Sequence, residues 1–458
     1  MWQRTLPAAI VLLVTGASAV SAQTAAPATP PALARPAEAI GPPATITLQD
    51  ALQRAAQNDA LFQTAVADAR SATGDRVQAR AGLLPSVSFT TQYIGNQSNG
   101  VNPNGRFVSM DGVNMYRSWG VLKQEISPSV LTGAPLVRAR AAEAESAARL
   151  EIARRGLAVT VTRNYYALIV AQRKYATAQQ SAGQAARFLE VAQRQQSLGQ
   201  VAMSDVIKAR IQSQQQTQTF TEAALSIDTA RLNLSVLLFP DFSENFEVVD
   251  DLSASPVLPP FADVNAMAGR KNPDLVAAQA ALAAANQDVR IARFGLLPSI
   301  AVEADYGIEA NEFALHSKIA AQPELGVLPN LGYAVTVNLS VPVWDWGAQL
   351  SRVHQNEARA QAAKTSLSQA QRQMLANLYA KYNESLVAKT VLDNARDVAD
   401  LAAESLRLTN LRYGAGESTA LEVVDAQNTL VQARNAFDDA GVRYRVALAD
   451  LQTLTGGF

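Results

Sequence analysis

The sequence predicts a mainly α-helical fold with a small β part, built from two tandem copies of one unit. Three observations carry this prediction: an internal duplication with nearly constant spacing, two very long helical stretches without proline beyond their first turn, and short segments in which apolar and polar residues alternate. Each copy is expected to run helix, strand, strand, long helix, helix.

The duplication is visible in short matches that keep the same order. Residues 82–86 read Gly-Leu-Leu-Pro-Ser and recur at 295–299, an offset of 213 residues. Each match is weak alone, but a shared order and a near-constant offset indicate one ancestral unit. We therefore predict repeat 1 over 46–240, a linker over 241–260 and repeat 2 over 261–458. Further matches are Pro128, Gly133 and Leu136 with Pro342, Gly347 and Leu350, and Gly199, Asp205, Val206 and Ala209 with Gly416, Glu422, Val423 and Ala426.

The first 45 residues are predicted to contain a signal peptide followed by an extended leader segment. Arg4 precedes an apolar stretch, and Val20-Ser21-Ala22 presents the small residues that signal peptidase recognises. We expect a signal peptide over 1–22. Residues 23–45 are rich in alanine and proline, and proline lacks the N–H that helices and central strands need. This segment is expected to be extended or disordered.

Helical spacing places the main helices. An opening helix is predicted from the helical spacing of apolar residues between Leu48 and Ala56, and another from that between Leu275 and Ala285. Each is expected to continue as far as the Leu-Leu-Pro sequence that follows it. Long helices are predicted over 134–198 and 348–413, and at ~1.5 Å per residue each spans roughly 95–100 Å. Each should turn at a glycine and return as a last helix. The predicted return helices are Met203–Leu238 and Thr419–Leu454.

The predicted strands carry a membrane signal. Alternation is clear over 333–343, 87–93 and 302–306, whereas the strand over 114–126 is assigned only by its position in the repeat. Such alternation suits a barrel strand with lipid on one side and water on the other. The alternative is a half-buried sheet in a soluble domain. The side chains expected to face lipid are Tyr333, Val335, Val337, Leu339 and Val341.

The number of predicted strands requires an oligomer. Four strands cannot close a barrel, and an open strand edge is not tolerated in hydrocarbon. Helices near ~100 Å also need neighbours along their length. We therefore expect several copies of the chain to share one barrel.

Composition excludes several classes of function. Lys plus Arg number 39 and Asp plus Glu 40, a balance with no basic footprint for nucleic acid. There is no cysteine and only two histidines, His316 and His354, so disulfide frameworks, thiolate metal sites and a His-rich metal site are excluded within one chain. No catalytic constellation is present, and we expect no cofactor, no metal and no enzyme activity.

The chain resembles the TolC family of outer-membrane efflux proteins from Ile46 to Gly457. The resemblance rests on Leu48–Leu52, the two Gly-Leu-Leu-Pro-Ser elements, Tyr165-Tyr166 and the segment from Arg412 to Gln427. It implies a homotrimer in the outer membrane of a Gram-negative bacterium, with a 12-stranded β-barrel continuous with a periplasmic α-helical barrel. It also implies a passive duct that works with a periplasmic adaptor and an inner-membrane pump of the RND or ABC type.

The resemblance further implies that the two helical turns form the periplasmic tip. Glu422 and Asp425 match the acidic pair that rings the family's constriction, and Asp205 matches an acidic tip position of repeat 1. The base that can pair with Asp205 in the family is replaced here by Ser418. The alternative for Glu422 is a capping box with Thr419. The implied adaptor contacts are Leu198, Gly199, Val201, Ala202, Ser204, Gly416, Glu417, Ser418 and Thr419.

Two other classes of protein stay open at this stage. The long helices also suit an exported coiled-coil stalk or a periplasmic adaptor, and export alone is compatible with an enzyme. The alternating strand 333–343 and the doubled strand pairs disfavour the stalk or adaptor, and the lack of any catalytic motif disfavours the enzyme. The sequence does not name the cargo.

Overall fold

The computed structural model describes residues 43–95, 114–240, 245–254, 256–310, 312–316 and 329–456. The predicted signal peptide and leader residues 23–42 lie outside these ranges, and the predicted linker is described only in part.

The two repeats share one order of elements, except that the short helix Pro128–Leu131 has no counterpart among the described residues of the second repeat. The helix Phe261–Lys271 begins 213 residues after the helix Leu48–Asn58, the offset that the sequence matches predict. Repeat 1 contains β1 Ala44–Ile46, α1 Leu48–Asn58, α2 Ala60–Ala81, β2 Ser86–Gly95, β3 Asn114–Ile126, α3 Pro128–Leu131, α4 Ala134–Ser197 and α5 Met203–Leu238. The rest of the described chain contains β4 Phe246–Val248, α6 Phe261–Lys271, α7 Pro273–Phe294, β5 Ser299–Ala310, β6 Leu331–Ser340, α8 Ala348–Gly414 and α9 Ala420–Thr455.

Each opening helix is in fact two helices. Asp59 and Asn272 adopt extended backbone conformations and end α1 and α6. The Asp59 carboxylate accepts a hydrogen bond from the Phe62 N–H at 2.7 Å, and Asn272 Oδ1 accepts one from Leu275 at 3.1 Å, so each side chain caps the next helix. The predicted equivalence of the Leu48 and Leu275 helices is therefore wrong, since Leu275 lies in α7, the counterpart of α2.

A four-stranded antiparallel sheet joins the two repeats. Its strand order is β2-β3-β5-β6, which leaves β2 and β6 at the two edges. Strand β6 ends at Ser340, so Val341, predicted as part of it, lies just beyond the strand. Pro342 follows, and its missing N–H cannot extend a strand ladder.

A second, two-stranded sheet was not predicted. Residues Ala44–Ile46, the first two of which were assigned to the leader, pair in parallel with Phe246–Val248 of the inter-repeat segment. Tyr165 of α4 secures this sheet because its hydroxyl contacts the Ile46 and Val249 carbonyl oxygens at 3.2 and 2.8 Å. Burial and the nearby Asp251 carboxylate raise the pKa of Tyr165 to about 12.

The long helices form two antiparallel pairs. Helices α4 and α8 contain 64 and 67 residues, and they pack along α5 and α9 respectively. Helix α4 also packs against α9, so the layer has the order α5, α4, α9, α8. Among the described residues, no helix combines the length and apolar character that a membrane span requires.

Candidate functional site

The two reversal turns at the far end of the long helices have the same geometry. Gly199 and Gly416 adopt left-handed φ values of 73° and 79°, which glycine takes without a steric penalty. In both turns the next N–H bonds back to the last helical turn: Gln200 to the Gln195 carbonyl and Glu417 to the Arg412 carbonyl, each at 2.9 Å. Each long helix thus ends in a Schellman-type cap.

The two turns pack against each other. Val206 of α5 and Val423 of α9 are buried in one apolar cluster, beside Phe188. The Tyr413 ring packs 5.4 Å from Phe188, and its hydroxyl donates a hydrogen bond to Gln195 Oε1 at 2.9 Å. Burial and the Asp205 carboxylate raise the pKa of Tyr413. Apolar packing and the hydrogen bond between Tyr413 and Gln195 therefore hold the two repeats together at the tip.

Glu422 forms the predicted capping box. The Glu422 N–H donates to the Thr419 hydroxyl at 3.3 Å, and Glu422 Oε1 accepts from the Thr419 N–H at 3.3 Å. Its other oxygen lies 3.7 Å from an Arg412 guanidinium nitrogen. The carboxylate therefore caps α9, while its exposed position leaves its charge at the surface.

Asp425 has a different environment from Glu422. It lies one turn further along α9, is exposed, and makes no side-chain hydrogen bond or ion pair within the described part of the chain. Asp205 is half-buried and lies 4.0 Å from Lys208 on its own helix.

Residues of both turns line a polar groove of about 720 Å³. The groove brings together Asp205, Tyr413 and Ser418, whereas Glu422 and Asp425 lie outside its lining. The Ser418 hydroxyl is buried and has no hydrogen-bond partner within the described residues. This serine therefore does not replace the ion pair that the absent base would make with Asp205.

The predicted adaptor contacts lie at the surface of the turns. Val201 and Ser418 are half-buried, and the others are exposed: Leu198, Gly199, Ala202, Ser204, Gly416, Glu417 and Thr419.

The larger sheet has two chemically distinct faces. Its register places Val335 beside Ala304, Ala304 beside Leu122, and Leu122 beside Val87, so these side chains share one face. All charged residues of the four described strands lie on the opposite face: Arg117, Lys123, Glu125, Glu303, Asp305 and Glu309.

Ion pairs join strands on the charged face. Arg117 approaches Glu309 at 2.7 Å, and Lys123 approaches Glu303 at 3.6 Å. Trp119 and Val121 lie on this same face, which is why β3 alternates poorly in the sequence. The predicted lipid-facing residues Tyr333, Val335, Val337 and Leu339 are exposed on the uncharged face, and Val341 is exposed beyond it.

Comparison with known proteins identifies the family. The family model described as "Outer membrane efflux protein" matches residues 51–238 and 266–457, most of the chain. The chain belongs to the outer membrane efflux protein family. The predicted family and outer-membrane location are thereby confirmed, and so is the predicted class of an outer-membrane efflux duct.

Individual relatives of this efflux-family chain are also named as outer membrane proteins. The outer membrane protein TolC of Vibrio cholerae is 26% identical over 88% of this chain and 87% of its own length. The pyoverdine export outer membrane protein OpmQ of Pseudomonas putida is 32% identical over 36% of this chain, and that match spans about a third (33%) of OpmQ.

Solved structures show the same fold. The Campylobacter jejuni CmeC outer membrane channel matches with a TM-score of 0.74 at 17% identity, over 90% of this chain and 85% of that chain. The outer membrane protein VceC of Vibrio cholerae matches with a TM-score of 0.72 at 17% identity, over 90% and 96% of the two chains.

Proposed function

We propose that three copies of this chain form a passive exit duct across the outer membrane and periplasm. The observation that carries the proposal is the sheet: one face bears every charge, the other bears none, and both edges are free within the described chain. An uncharged face suits lipid, and free edges in lipid demand pairing. Pairing β6 of one copy with β2 of the next would close twelve strands.

The helical layer supports the same closure. Its two outer helices, α5 and α8, expose large apolar residues that a monomer leaves in water, among them Ile207, Leu225, Leu401 and Leu411. Head-to-tail contact between α5 and α8 of neighbouring copies would bury both sets, and a threefold rotation closes the ring.

The tip is proposed as the gate and the docking end. Glu422 and Asp425 are the candidate ring of carboxylates, and Asp205 lines the groove between the turns. The exposed turns 198–204 and 416–419 are the proposed contacts for a periplasmic adaptor. An inner-membrane pump of the RND or ABC type would supply the energy for transport, since the proposed duct is passive.

The direct test is the assembly state. Purified mature protein in detergent should be a trimer with a long dimension near ~140 Å, from a ~30 Å membrane section and a ~100 Å helical section. Its migration in gels should be modifiable by heat. A compact monomer in light scattering would contradict the proposal. Genes for an adaptor and a proton-driven pump beside this gene would indicate drug efflux, and an ABC transporter gene would indicate protein secretion.

A further inference from the structure

The three carboxylates of strand β5 differ in their cross-strand partners. Glu303 and Glu309 each lie opposite a basic residue of β3, and both form the ion pairs described above. Asp305 lies opposite Val121 on one side and Ala334 on the other, and it forms no ion pair within the described residues. Its Oδ1 atom is buried and has no hydrogen-bond partner in the same part of the chain. Because burying a carboxylate oxygen without a partner is unfavourable, a cation bound at Asp305 would be stabilised.

Asp305 lines a cavity of about 200 Å³, together with the indole of Trp119. The indole N–H donates to the Ile308 carbonyl at 3.0 Å, which fixes the ring against β5. The Arg117 guanidinium carbon lies 5.4 Å from the centre of this ring, while the same guanidinium pairs with Glu309. The indole therefore already has one cation held between its ring and a carboxylate, and Asp305 provides a second carboxylate at the same cavity.

Two glycines leave room beside the indole. Gly307 is the register partner of Trp119, and Gly332 is the register partner of Gly307. Along β5, Asp305 and Glu309 lie two residues to either side of Gly307. A Cβ on Gly332 would meet no atom within 4 Å, so a side chain at this position would extend into open space. The cavity therefore forms because the two sheet positions next to Trp119 have no side chains.

The chemistry of the cavity favours an organic cation over a metal ion. Mg²⁺ and Ca²⁺ require several oxygen ligands, whereas Asp305 is the only lining carboxylate without an ion pair among the described residues. An aromatic face attracts ammonium and related organic cations, and the Ala334 methyl group adds an apolar contact. Pockets for drug-sized ligands enclose about 300–1,000 Å³, so this smaller cavity suits a cationic headgroup.

We propose that the cavity between Trp119 and Asp305 binds the headgroup of a monovalent organic cation on the inner wall of the duct. The inference rests on the proposed function, which turns the charged face of the sheet towards the lumen. Three copies would present three such cavities. Gly307 lies three residues before the end of β5 that is remote from the helices, so the cavities would lie towards the outer mouth. Cationic cargo would be retained there briefly before it leaves the duct.

Fluorescence quenching tests this site with two probes that differ mainly in charge. Ring-methylated nicotinamide is a planar cation that quenches tryptophan emission on contact, and nicotinamide is its uncharged parent. The chain has four tryptophans, and Trp2 lies in the predicted signal peptide. Mature trimers that carry Trp344→Phe and Trp346→Phe therefore report Trp119 alone. The cation should quench this emission saturably, whereas nicotinamide should quench it only in proportion to its concentration.

Matched variants separate the site from the general charge of the lumen. Asp305→Asn and Glu303→Gln each remove one carboxylate from the same face of the same strand. Asp305→Asn should raise the half-saturating concentration of the cation at least about tenfold, because a charged contact is lost. Glu303→Gln should change it less than about twofold, because that carboxylate lies in an exposed ion pair. Gly332→Leu should fill the cavity and remove saturable quenching, and Thr336→Leu, on the same face of β6, is its control.

Proportional quenching by the cation, saturable quenching by nicotinamide, or equal effects of Asp305→Asn and Glu303→Gln would each overturn the site. Trimer content and planar-bilayer conductance are measured on the same samples. If trimers conduct while quenching by the cation stays proportional, the cation site fails and the proposed duct stands. If neither trimers nor conductance are found, the proposed duct fails and the lumenal site fails with it.

Discussion

Arg173 of α4 and Asp438 of α9 form an ion pair at 3.0 Å that joins the two repeats midway along the helices. The same guanidinium binds Asp250 of the inter-repeat segment through two bonds of 2.7 and 2.8 Å. Asp438 is almost fully buried, whereas Asp250 is partly exposed. The Arg173 guanidinium thus links a helix from each repeat to the segment between them.

Removing the Arg173 guanidinium should destabilise the fold. In the Arg173→Met variant Asp438 would stay buried without a counter-charge, a change that costs about 3 kcal/mol in buried pairs. The control is Lys174→Met, which breaks the more exposed pair of Lys174 with Asp439 and should cost less than about 1 kcal/mol. Guanidinium unfolding in detergent, followed by circular dichroism, measures both. If both variants lose the same free energy of unfolding, the Arg173 ion pairs stabilise the fold no more than the exposed Lys174 pair does.

The two carboxylates should respond to acid in opposite directions. Burial raises the pKa of Asp438, and the hydrogen bond and charge of Arg173 offset this only in part. Burial also acts on Asp250, but the Arg173 hydrogen bond, the Leu252 N–H and the Arg173 charge outweigh it and lower the pKa of Asp250. The stability that Asp250 contributes is therefore present above the unfolded pKa and is lost as pH falls through the folded pKa. Asp438 instead gains a proton in the folded state first, so acidification through its folded pKa favours folding.

Stability measured between about pH 3 and pH 6 should separate these effects. Asp250→Asn should lose less stability than the wild type on acidification, because the variant has no carboxylate at position 250 to be protonated. Asp438→Asn should lose more, because the favourable protonation is removed. Identical pH profiles for the two variants would contradict the assigned directions.

Neighbouring residues of β6 should differ sharply in their tolerance of charge. Val337 lies on the uncharged face and Asn338 on the charged face. Arginine at a lipid-facing midplane position costs roughly 2–4 kcal/mol. Val337→Arg should therefore impair insertion, while Asn338→Arg should insert and alter conductance. Equal insertion of the two variants in outer-membrane fractions would show that the faces are wrongly assigned.

The proposed gate predicts cation selectivity. Three copies would bring six carboxylates together, and at about 6 Å each pair repels by roughly 0.7–3 kcal/mol, depending on the effective dielectric. Bound cations or the N-terminal dipoles of the α9 helices would have to offset this repulsion. Multivalent cations added from the periplasmic side should therefore block the pore.

Neutral isosteres test the gate without removing the cap. Glutamine at position 422 preserves a capping box, so Glu422→Gln with Asp425→Asn should assemble normally. Planar-bilayer recordings should show that cation block is lost and that selectivity shifts towards anions. Unchanged block and selectivity would assign Glu422 to helix capping alone and would place the constriction elsewhere in the tunnel.

Much of the fold could be predicted from the sequence because its signals are local. The bounds of α5 match the prediction, Met203–Leu238, and β3 spans Asn114–Ile126 as its repeat position indicates. The capping box of Thr419 and Glu422 depends on residues three apart, and it is confirmed. The gate and adaptor roles of the tip residues stay predictions, as do the exact repeat and linker boundaries.

The sequence by itself determined the duplication, the long helices α4 and α8 with their return helices, and the alternating faces of β6, since backbone preference and side-chain period act over a few residues. Only the tertiary structure decided the rest: the faces of β3, the pairing of Ala44–Ile46 with Phe246–Val248, and the Arg173–Asp438 pair. Those features join residues far apart in the chain. Their geometry depends on strand register and helix packing, and a local pattern contains neither.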